Sequence, residues 1–261
     1  MRYCIRFKKD KVAVKTVNKL VKKLDENHFI QDENNPEVVF SVGGDGTFLR
    51  AVHDFFEINP LFVAINRGNL GFLCEFTDKD INFMIDELIQ KSLPIRTISL
   101  LEGKFMGQKI YALNEIRMEA CNGTSISYDV DINGTYLETC RSDGACISTS
   151  IGSSGLARSL GGSLVDNEIE TIQFIEKAPI SNRRYNSLRS PYVLNVDKTI
   201  TLLNFSYDYF NLFYDCKFLK INNFKGGLQI RVASDKQIRV LQNHGIDYIK
   251  KTRETLIKWH I

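Results

Sequence analysis

One short glycine-rich stretch separates two apolar segments and constrains the fold more than any other part of the chain. It consists of Gly43-Gly44-Asp45-Gly46-Thr47. The preceding segment, Val38 to Val42, is β-branched and aromatic, which is typical of a buried strand. The following segment, Phe48 to Phe56, carries apolar residues at helical spacing. A strand, a glycine turn and a helix in this order bring Asp45 to the carboxyl edge of a sheet, beside backbone N–H groups that can bind an anion. Two interpretations stay open here: Asp45 handles a proton or a metal ion beside bound phosphates, or it caps the helix in a tight turn.

The first third of the chain repeats this alternation of strands and helices. Tyr3 to Phe7 and Leu61 to Ile65 are predicted strands, and Asp10 and Asp78 are predicted N-caps of helices. The buried stripe of the first of these helices is predicted to contain its apolar residues Val14, Val17, Val21 and Leu24. Strands that alternate with helices predict a parallel sheet covered by helices.

After Pro94 the apolar residues change from helical spacing to alternation. Residues 110–120 alternate as one strand, and Asn133-Gly134 is a strong hairpin signal. Ser234-Asp235-Lys236 predicts a turn, and Ile246 to Trp259 predicts a terminal helix. Further strands are predicted at Thr199–Leu203, Asn211–Tyr214, Phe218–Ile221, Leu228–Val232 and Ile238–Leu241. The predicted fold class is an α/β N-terminal domain with a parallel sheet, followed by a β-rich, sandwich-like C-terminal domain.

The composition argues against several classes of protein. Lys and Arg total 34 and Asp and Glu total 31, so the net charge of +3 does not indicate nucleic-acid binding. We expect no signal peptide and no membrane association, because the N-terminus has no apolar core and no segment approaches roughly 18 consecutive apolar residues. The six cysteines and four histidines are scattered without ligand spacing. We therefore expect a cytoplasmic chain with reduced thiols and no protein metal ligand.

Two further stretches carry groups that can bind a nucleotide. Leu113-Asn114-Glu115 places an amide on the apolar face of a predicted strand and a carboxylate on the other face. A carboxylate can accept hydrogen bonds from two neighbouring ribose hydroxyls. Asp143 to Gly162 predicts a strand, a serine- and glycine-rich loop that lets backbone approach a ligand, and a helix that Gly161-Gly162 terminates. The alternatives are a surface position for Glu115 and a flexible connector for the loop.

Taken together, these stretches resemble the NAD kinase family. The resemblance spans most of the chain, and the motifs occur in the family's order. They are Gly43 to Thr47, Asn66 to Leu73, Leu113 to Glu115, Asp143-Gly144, Ser148 to Gly162, Ala178 to Arg183 and Ser190-Pro191. The first motif alone is less specific, because diacylglycerol and sphingosine kinases and phosphofructokinases carry similar turns.

The resemblance implies transfer of the γ-phosphoryl group of ATP to the 2′-hydroxyl of the adenosine ribose of NAD, giving NADP, with Mg²⁺ accompanying ATP. It implies an α/β domain over residues 1–97, a β-rich NAD-binding domain over 98–241 and a C-terminal helix over 242–261 that returns to the first domain. The implied residues are Asp45 for catalysis; Gly43, Gly44, Gly46 and Thr47 for the phosphate donor; and Asn114, Glu115, Asp143, Ser154, Gly155, Ser159, Ala178 and Ile180 for NAD. Such proteins are homodimers or homotetramers, and Asp143 would reach NAD bound across a subunit contact. Polyphosphate stays open as an alternative donor.

The chain departs from the family pattern near the serine-rich loop. Members commonly have Pro-Thr at Ser150-Ile151, Thr at Ser154 and Tyr at Leu156, and often have His-Pro near Asp166. Loss of that Tyr removes an aromatic contact of about 1 kcal/mol. Two alternative functions follow: a non-catalytic regulator that binds pyridine nucleotides, which Leu156 favours, and a lipid kinase that shares the glycine turn. Arg67 and Arg141 are expected to be solvated surface charges.

Overall fold

The computed structural model describes residues 1–67, 71–245 and 247–257. The chain divides into two compact units, which we describe separately. The first unit contains Met1–Ile98 and Lys236–Ile261, and the second contains Ser99–Asp235. Among the residues described, no helix is long and apolar enough to cross a membrane.

The first unit is an α/β fold in which strands and helices alternate. Its elements up to residue 98 are β1 Arg2–Phe7, α1 Lys11–Glu26, β2 Ile30–Gln31, β3 Val38–Gly43, α2 Asp45–Phe55, a 3₁₀ turn Phe56–Ile58, β4 Leu61–Asn66, β5 Phe76–Thr77, α3 Ile81–Gln90 and the start of β6 Ile95–Phe105. The first five strands pair in parallel in the order β2-β1-β3-β4-β5. Every residue of β3 and β4 is buried, as expected for a parallel sheet covered on both faces. The predicted parallel α/β architecture is confirmed.

Two helices of this unit differ in detail from the prediction. Asp10 caps α1 as predicted, because its side chain accepts the N–H of Ala13 at 3.0 Å. The buried stripe of α1, however, consists of Ala13, Thr16, Leu20 and Leu24. Val14 is 43% exposed, because the first half of α1 turns the smaller residues Ala13 and Thr16 toward the interior of the unit instead. Asp78 is not the N-cap of α3: the helix begins at Ile81, directly after Asp80.

The second unit is antiparallel and β-rich. Its elements are the rest of β6, then β7 Gln108–Ala112, β8 Glu115–Glu119, β9 Ile126–Ile132, β10 Thr135–Ser142, β11 Gly144–Thr149, a 3₁₀ turn Ile151–Ser154, α4 Leu156–Ser159, β12 Thr171–Lys177, β13 Tyr192–Asn195, β14 Ile200–Leu203, β15 Phe210–Tyr214, β16 Lys217–Ile221 and the start of β17 Leu228–Leu241. One sheet has the order β13-β12-β11-β8-β15-β16, and β10, β9, β14 and β17 are neighbours in a second. Side chains from both sheets form one core, which includes Tyr128, Phe174 and Phe210. A β-rich second part is confirmed.

Several predicted β elements have different bounds. The Asn133-Gly134 hairpin is confirmed: both residues have positive φ, and β9 and β10 pair antiparallel. Residues 110–120 form two strands with a break at Leu113-Asn114, not one. The turn predicted at Ser234-Asp235-Lys236 is wrong, because β17 continues through these residues. Their polar side chains suggested a turn, yet a strand with one exposed face tolerates them. The 11-residue strand β6 was not predicted.

The chain ends, within the described residues, in a short helical segment of the first unit. It consists of α5, Tyr248–Thr252, and a π-helical stretch, Arg253–Ile257. Asp247 caps α5 by accepting the N–H of Ile249 at 2.8 Å. The predicted helix of Ile246 to Trp259 is therefore present over its central part, and Ile246 and Trp259 lie outside the described residues.

Candidate active site

The glycine turn joins β3 to α2 with only Gly44 between them. The helix begins at Asp45, three residues before the predicted start at Phe48. A Cβ atom on Gly43 would lie 2.3 Å from Oγ1 of the buried Thr47, so only glycine fits at this position. A Cβ atom on Gly44 or Gly46 would meet nothing within 4 Å. The turn thus combines one tightly packed glycine with two whose backbone is open to a ligand.

The Asp45 carboxylate is held by the loop that follows β4. The Phe72 N–H donates to its Oδ2 and the Leu73 N–H donates to its Oδ1, each at 3.0 Å. A Cβ atom on Gly71 would lie 2.4 Å from Oδ1, so this close approach needs a glycine. Asp45 is the first residue of α2 and makes no capping hydrogen bond to it. Two backbone donors therefore orient the carboxylate before any ligand binds.

Two other polar groups lie near this edge of the first unit. The Cys74 thiol lies 3.7 Å from Oδ1 of Asp45 and is buried. Burial, reinforced by the negative charge of Asp45, raises the pKa of the Cys74 thiol well above its usual range, so it stays protonated. Arg67 was expected to be a solvated surface charge, but its side chain is only 22% exposed and its guanidinium pairs with Asp10.

In the second unit, one carboxylate fixes the backbone that carries Asn114 and Glu115. The N–H groups of Leu113, Asn114 and Glu115 donate to Asp215 at 2.7, 2.8 and 3.2 Å. Asp215 follows β15 with a φ of 50°. Sequence reasoning missed Asp215, because it lies about a hundred residues away in a turn that carries no recognisable motif. By accepting these three N–H groups, Asp215 fixes the backbone conformation of Leu113 to Glu115.

Asn114 and Glu115 each retain a buried oxygen without a partner. Asn114 Oδ1 and Glu115 Oε2 make no hydrogen bond with any residue that the structure describes. Glu115 is only 8% exposed, so the surface alternative is wrong. Burial, followed by the charge of Asp215, raises the pKa of Glu115 to about 8. Buried acceptors without donors are costly, which is typical of a site that a ligand completes.

The serine-rich loop packs against Asn114. The Ser148 hydroxyl and the Thr149 N–H donate to the Asn114 carbonyl at 3.2 and 2.9 Å. A Cβ atom on Gly152 would lie 2.3 Å from this carbonyl. Gly155 is exposed. It lies beside Asn114, since a Cβ atom on Gly155 would be 3.6 Å from the side-chain amide nitrogen of Asn114. These contacts hold the loop against Asn114.

The remaining predicted site residues form two groups, one in the 3₁₀ turn and α4 and the other near the start of β11. Ser154 is half-buried at the end of the 3₁₀ turn, and Ser159 is exposed at the end of α4. Asp143 lies just before β11, and its N–H donates to the Lys177 carbonyl at 2.9 Å. Ala178 follows Lys177 with a φ of 49°.

Ile180 joins the group at the start of β11. Its N–H donates to the Arg141 carbonyl at 2.8 Å. Arg141 is also not a free surface charge, since its Nε donates to Ser125 at 2.9 Å. Asp143, Ala178 and Ile180 thus meet at one end of β11, whereas Asn114 contacts Ser148 and Thr149 at the other end.

One group of possible metal ligands lies outside the predicted site. Glu138, Cys140 and Glu176 each place one ligand atom within 4.8 Å of the others. Burial raises the pKa of the Cys140 thiol well above its usual range, so the thiol stays protonated. The two carboxylates already accept the backbone N–H groups of Leu188 and Arg189. This group therefore holds the segment after Ala178 in place.

Comparisons with known proteins agree with this architecture. Two family models match: the ATP-NAD kinase N-terminal domain over residues 5–93, and the ATP-NAD kinase C-terminal domain over residues 113–215. An NAD kinase of Staphylococcus haemolyticus is 32% identical over 266 residues, which cover 99% of this chain and 98% of the relative. An NAD kinase of Staphylococcus epidermidis is 31% identical over 265 residues, which cover 98% of each chain.

Two solved structures have a similar fold. The crystal structure of an NAD kinase from Archaeoglobus fulgidus in complex with ATP aligns with a TM-score of 0.79 at 22% identity, covering 98% of this chain and 97% of that one. The yeast NADH kinase complexed with NADH aligns with a TM-score of 0.83 at 18% identity, covering 100% of this chain and 89% of that one.

The parallel α/β unit and the antiparallel β-rich unit thus have the fold of these two solved kinases. Since both family models match and the relatives align over nearly the whole chain, the chain belongs to the NAD kinase family and is an enzyme that phosphorylates NAD. The regulator and lipid-kinase alternatives gain no support from these relatives.

Proposed function

We propose that the chain transfers the γ-phosphoryl group of ATP to the 2′-hydroxyl of the adenosine ribose of NAD, with Asp45 as the catalytic residue. The observation that carries this proposal is the Asp45 carboxylate, oriented by two backbone N–H groups at 3.0 Å at the end of β3. Phosphoryl transfer depends mainly on positioning and charge compensation. A carboxylate with a fixed orientation suits a group that accepts the ribose proton or aligns the attacking hydroxyl. ATP in the Archaeoglobus fulgidus relative supports ATP as the donor.

The phosphates of the donor would bind at the glycine turn. The first N–H groups of a helix attract anions, and α2 begins here with Gly44 and Gly46 open to a ligand. Gly43 and the buried Thr47 would shape the turn by packing against each other. Mg²⁺ commonly binds one or two carboxylates together with substrate phosphates, and the single carboxylate of Asp45 fits that requirement. The ion would neutralise phosphate charge.

The adenosine of NAD would bind in the second unit at Asn114, Glu115, Ser154, Gly155 and Ser159. The orphan oxygens of Asn114 and Glu115 support this role, because ribose hydroxyls and an adenine amine supply the missing donors. Gly155 is exposed beside Asn114 and is therefore accessible to a ligand. The scattered cysteines further favour the cytoplasm, where ATP and NAD are available.

Asp143, Ala178 and Ile180 would contact NAD bound to a second copy of the chain. They lie at the opposite end of β11 from Asn114, and a strand of six residues spans roughly 17–20 Å. We therefore propose a homodimer or homotetramer. Mixing Asp45→Asn subunits with Asp143→Ala subunits should restore activity that neither variant shows alone. Mixtures that stay inactive after subunit exchange would contradict shared sites.

The proposed reaction is tested by following the γ-phosphoryl group. The purified chain is incubated with NAD, Mg²⁺ and ATP labelled at the γ-phosphate, and the product is analysed for label on the 2′-oxygen of the adenosine ribose. We expect label in NADP. Label that appears only in free phosphate would contradict the proposal. The same assay with NADH or polyphosphate determines the preferred acceptor and donor.

A further inference from the structure

The C-terminal helix contains a lysine whose burial the proposed reaction does not explain. Lys251 on α5 is 2% exposed and is among the largest fully buried side chains of the described residues. A buried ammonium group is costly unless it is paired. Its Nζ donates to the Cys74 carbonyl at 2.9 Å and lies 3.4 Å from Oε1 of Glu75. Both partners belong to the loop that holds Asp45.

The same loop faces the catalytic carboxylate on its other side. Phe72 and Leu73 donate their N–H groups to Asp45, and the next residue, Cys74, accepts the hydrogen bond from Lys251. The Phe72 ring also packs edge-on against Tyr248 of α5, with ring centroids 5.7 Å apart. One short loop therefore connects the C-terminal helix to the orientation of Asp45.

Other anchors of this loop lie on the C-terminal side of the two donor amides or at the buried Cys74 thiol, whose Sγ lies 3.9 Å from the Gly43 carbonyl. On the C-terminal side, Phe76 of β5 pairs with Ile65 of β4. The Glu75 N–H donates to the Ala64 carbonyl at 3.2 Å, and the Glu75 carbonyl accepts a hydrogen bond from the Asn243 side chain at 3.4 Å. Between these anchors and Gly71, Lys251 and Tyr248 of α5 both contact the loop. The Cys74 carbonyl lies one residue beyond Leu73, so a shift of the backbone at Cys74 would be passed through the intervening peptide to the Leu73 N–H.

We propose that Lys251 is a positioning residue for catalysis: its bond to the Cys74 carbonyl fixes the Phe72 and Leu73 N–H groups that orient Asp45. It acts through the loop and touches no substrate. This inference rests on Asp45 being the catalytic residue. It predicts that loss of Lys251 lowers turnover and leaves NAD affinity unchanged, since NAD binding is assigned to the second unit.

The test compares Lys251→Met with Lys251→Arg and with Lys250→Met, a control on the exposed neighbouring position. We expect Lys251→Met to lower kcat at least tenfold with the Kd for NAD unchanged within twofold. Hydrogen exchange at the Phe72 and Leu73 amides should accelerate in this variant. Lys251→Arg keeps a charged donor and should recover most of the turnover, and Lys250→Met should behave like the unmodified chain.

Several outcomes separate this role from general stabilisation. Unchanged kcat and unchanged exchange at both amides in Lys251→Met would overturn the proposal, as would equal loss of kcat and NAD affinity. If Lys251→Met does not fold, Lys251→Gln, whose shorter neutral side chain also loses the ammonium donor, is measured in its place and should show the same split between kcat and Kd. A Lys251→Gln variant with normal kcat and normal exchange at both amides would then overturn the proposal. If the unmodified chain makes no NADP, the proposed reaction itself fails, and amide exchange still reports whether Lys251 holds the loop.

Discussion

Asp45 in the first unit and Glu115 in the second are both acids at the end or edge of a strand, yet their surroundings are opposite. Both oxygens of Asp45 accept hydrogen bonds from backbone N–H groups. Glu115 is more deeply buried, and its Oε2 has no partner among the described residues. The N–H groups around Glu115 are instead taken by Asp215.

This difference separates a group that acts from a group that binds. A carboxylate whose orientation is fixed in the free protein can act on a reacting hydroxyl without reorganisation. A buried carboxyl oxygen without a partner gains hydrogen-bond donors when a ligand binds, and these bonds favour the complex over the free protein. The comparison therefore assigns turnover to Asp45 and affinity to Glu115. The following predictions test this division.

The largest effect is expected for Asp45→Asn. An amide cannot accept the ribose proton, and its NH₂ group would face one of the two N–H donors of the loop. We expect turnover to fall about 10³-fold or more with the Kd for NAD unchanged within twofold, measured by steady-state kinetics and calorimetry. Asp54→Asn, an exposed position on the same helix, serves as the control. Loss of NAD binding together with turnover would contradict the assignment.

Glu115→Ala should show the reverse pattern. Each hydrogen bond between a ribose hydroxyl and Glu115 contributes about 1 kcal/mol, so loss of two of them should raise the Kd for NAD about tenfold or more. The rate at saturating NAD should fall much less. Glu119→Ala, on the same strand, provides a matched control with unchanged affinity. An unaltered Kd in Glu115→Ala would remove Glu115 from the NAD site.

The two neighbouring glycines of the turn should differ from each other. In Gly43→Ala the new methyl group meets Thr47 at 2.3 Å, so we expect a loss of about 1–3 kcal/mol in the free energy of unfolding. Gly44→Ala meets nothing within 4 Å and should keep its Tm while raising the KM for ATP several-fold. Denaturant unfolding and ATP kinetics distinguish the two. An unchanged KM for ATP in Gly44→Ala would show that the open space beside Gly44 is not a ligand site.

The last prediction concerns how Glu115 makes the free energy of unfolding depend on pH. Its pKa is about 8 in the folded chain and near the ordinary 4.5 when unfolded, so the folded state binds more protons between these values. Stability from this group is therefore present at pH 4.5 and is lost as the pH rises toward 8. Glu115→Gln removes this loss, so its Tm advantage over the unmodified chain should grow from pH 5 to pH 8. A pH-independent Tm difference would show that Glu115 is not buried in protonated form.

The sequence predicted those features that depend on local pattern. The strand before Gly43, the cap at Asp10 and the Asn133-Gly134 hairpin each follow from neighbouring residues, and each was correct. The alternative that placed Glu115 at the surface was wrong. It treated the alternating residues as one continuous strand, whereas two strands are separated at Leu113-Asn114. The contacts of Asp215 and Lys251 were not predictable, because each joins residues that are a hundred or more positions apart.

The most direct test of the account is a measurement of NADP formation from NAD and MgATP, using an NADP-specific dehydrogenase and Asp45→Asn beside the unmodified chain. We expect the unmodified chain to produce NADP and Asp45→Asn to produce almost none while still binding NAD. NADP formed at similar rates by both proteins would contradict the role of Asp45. NAD binding without NADP from the unmodified chain would contradict the proposed reaction.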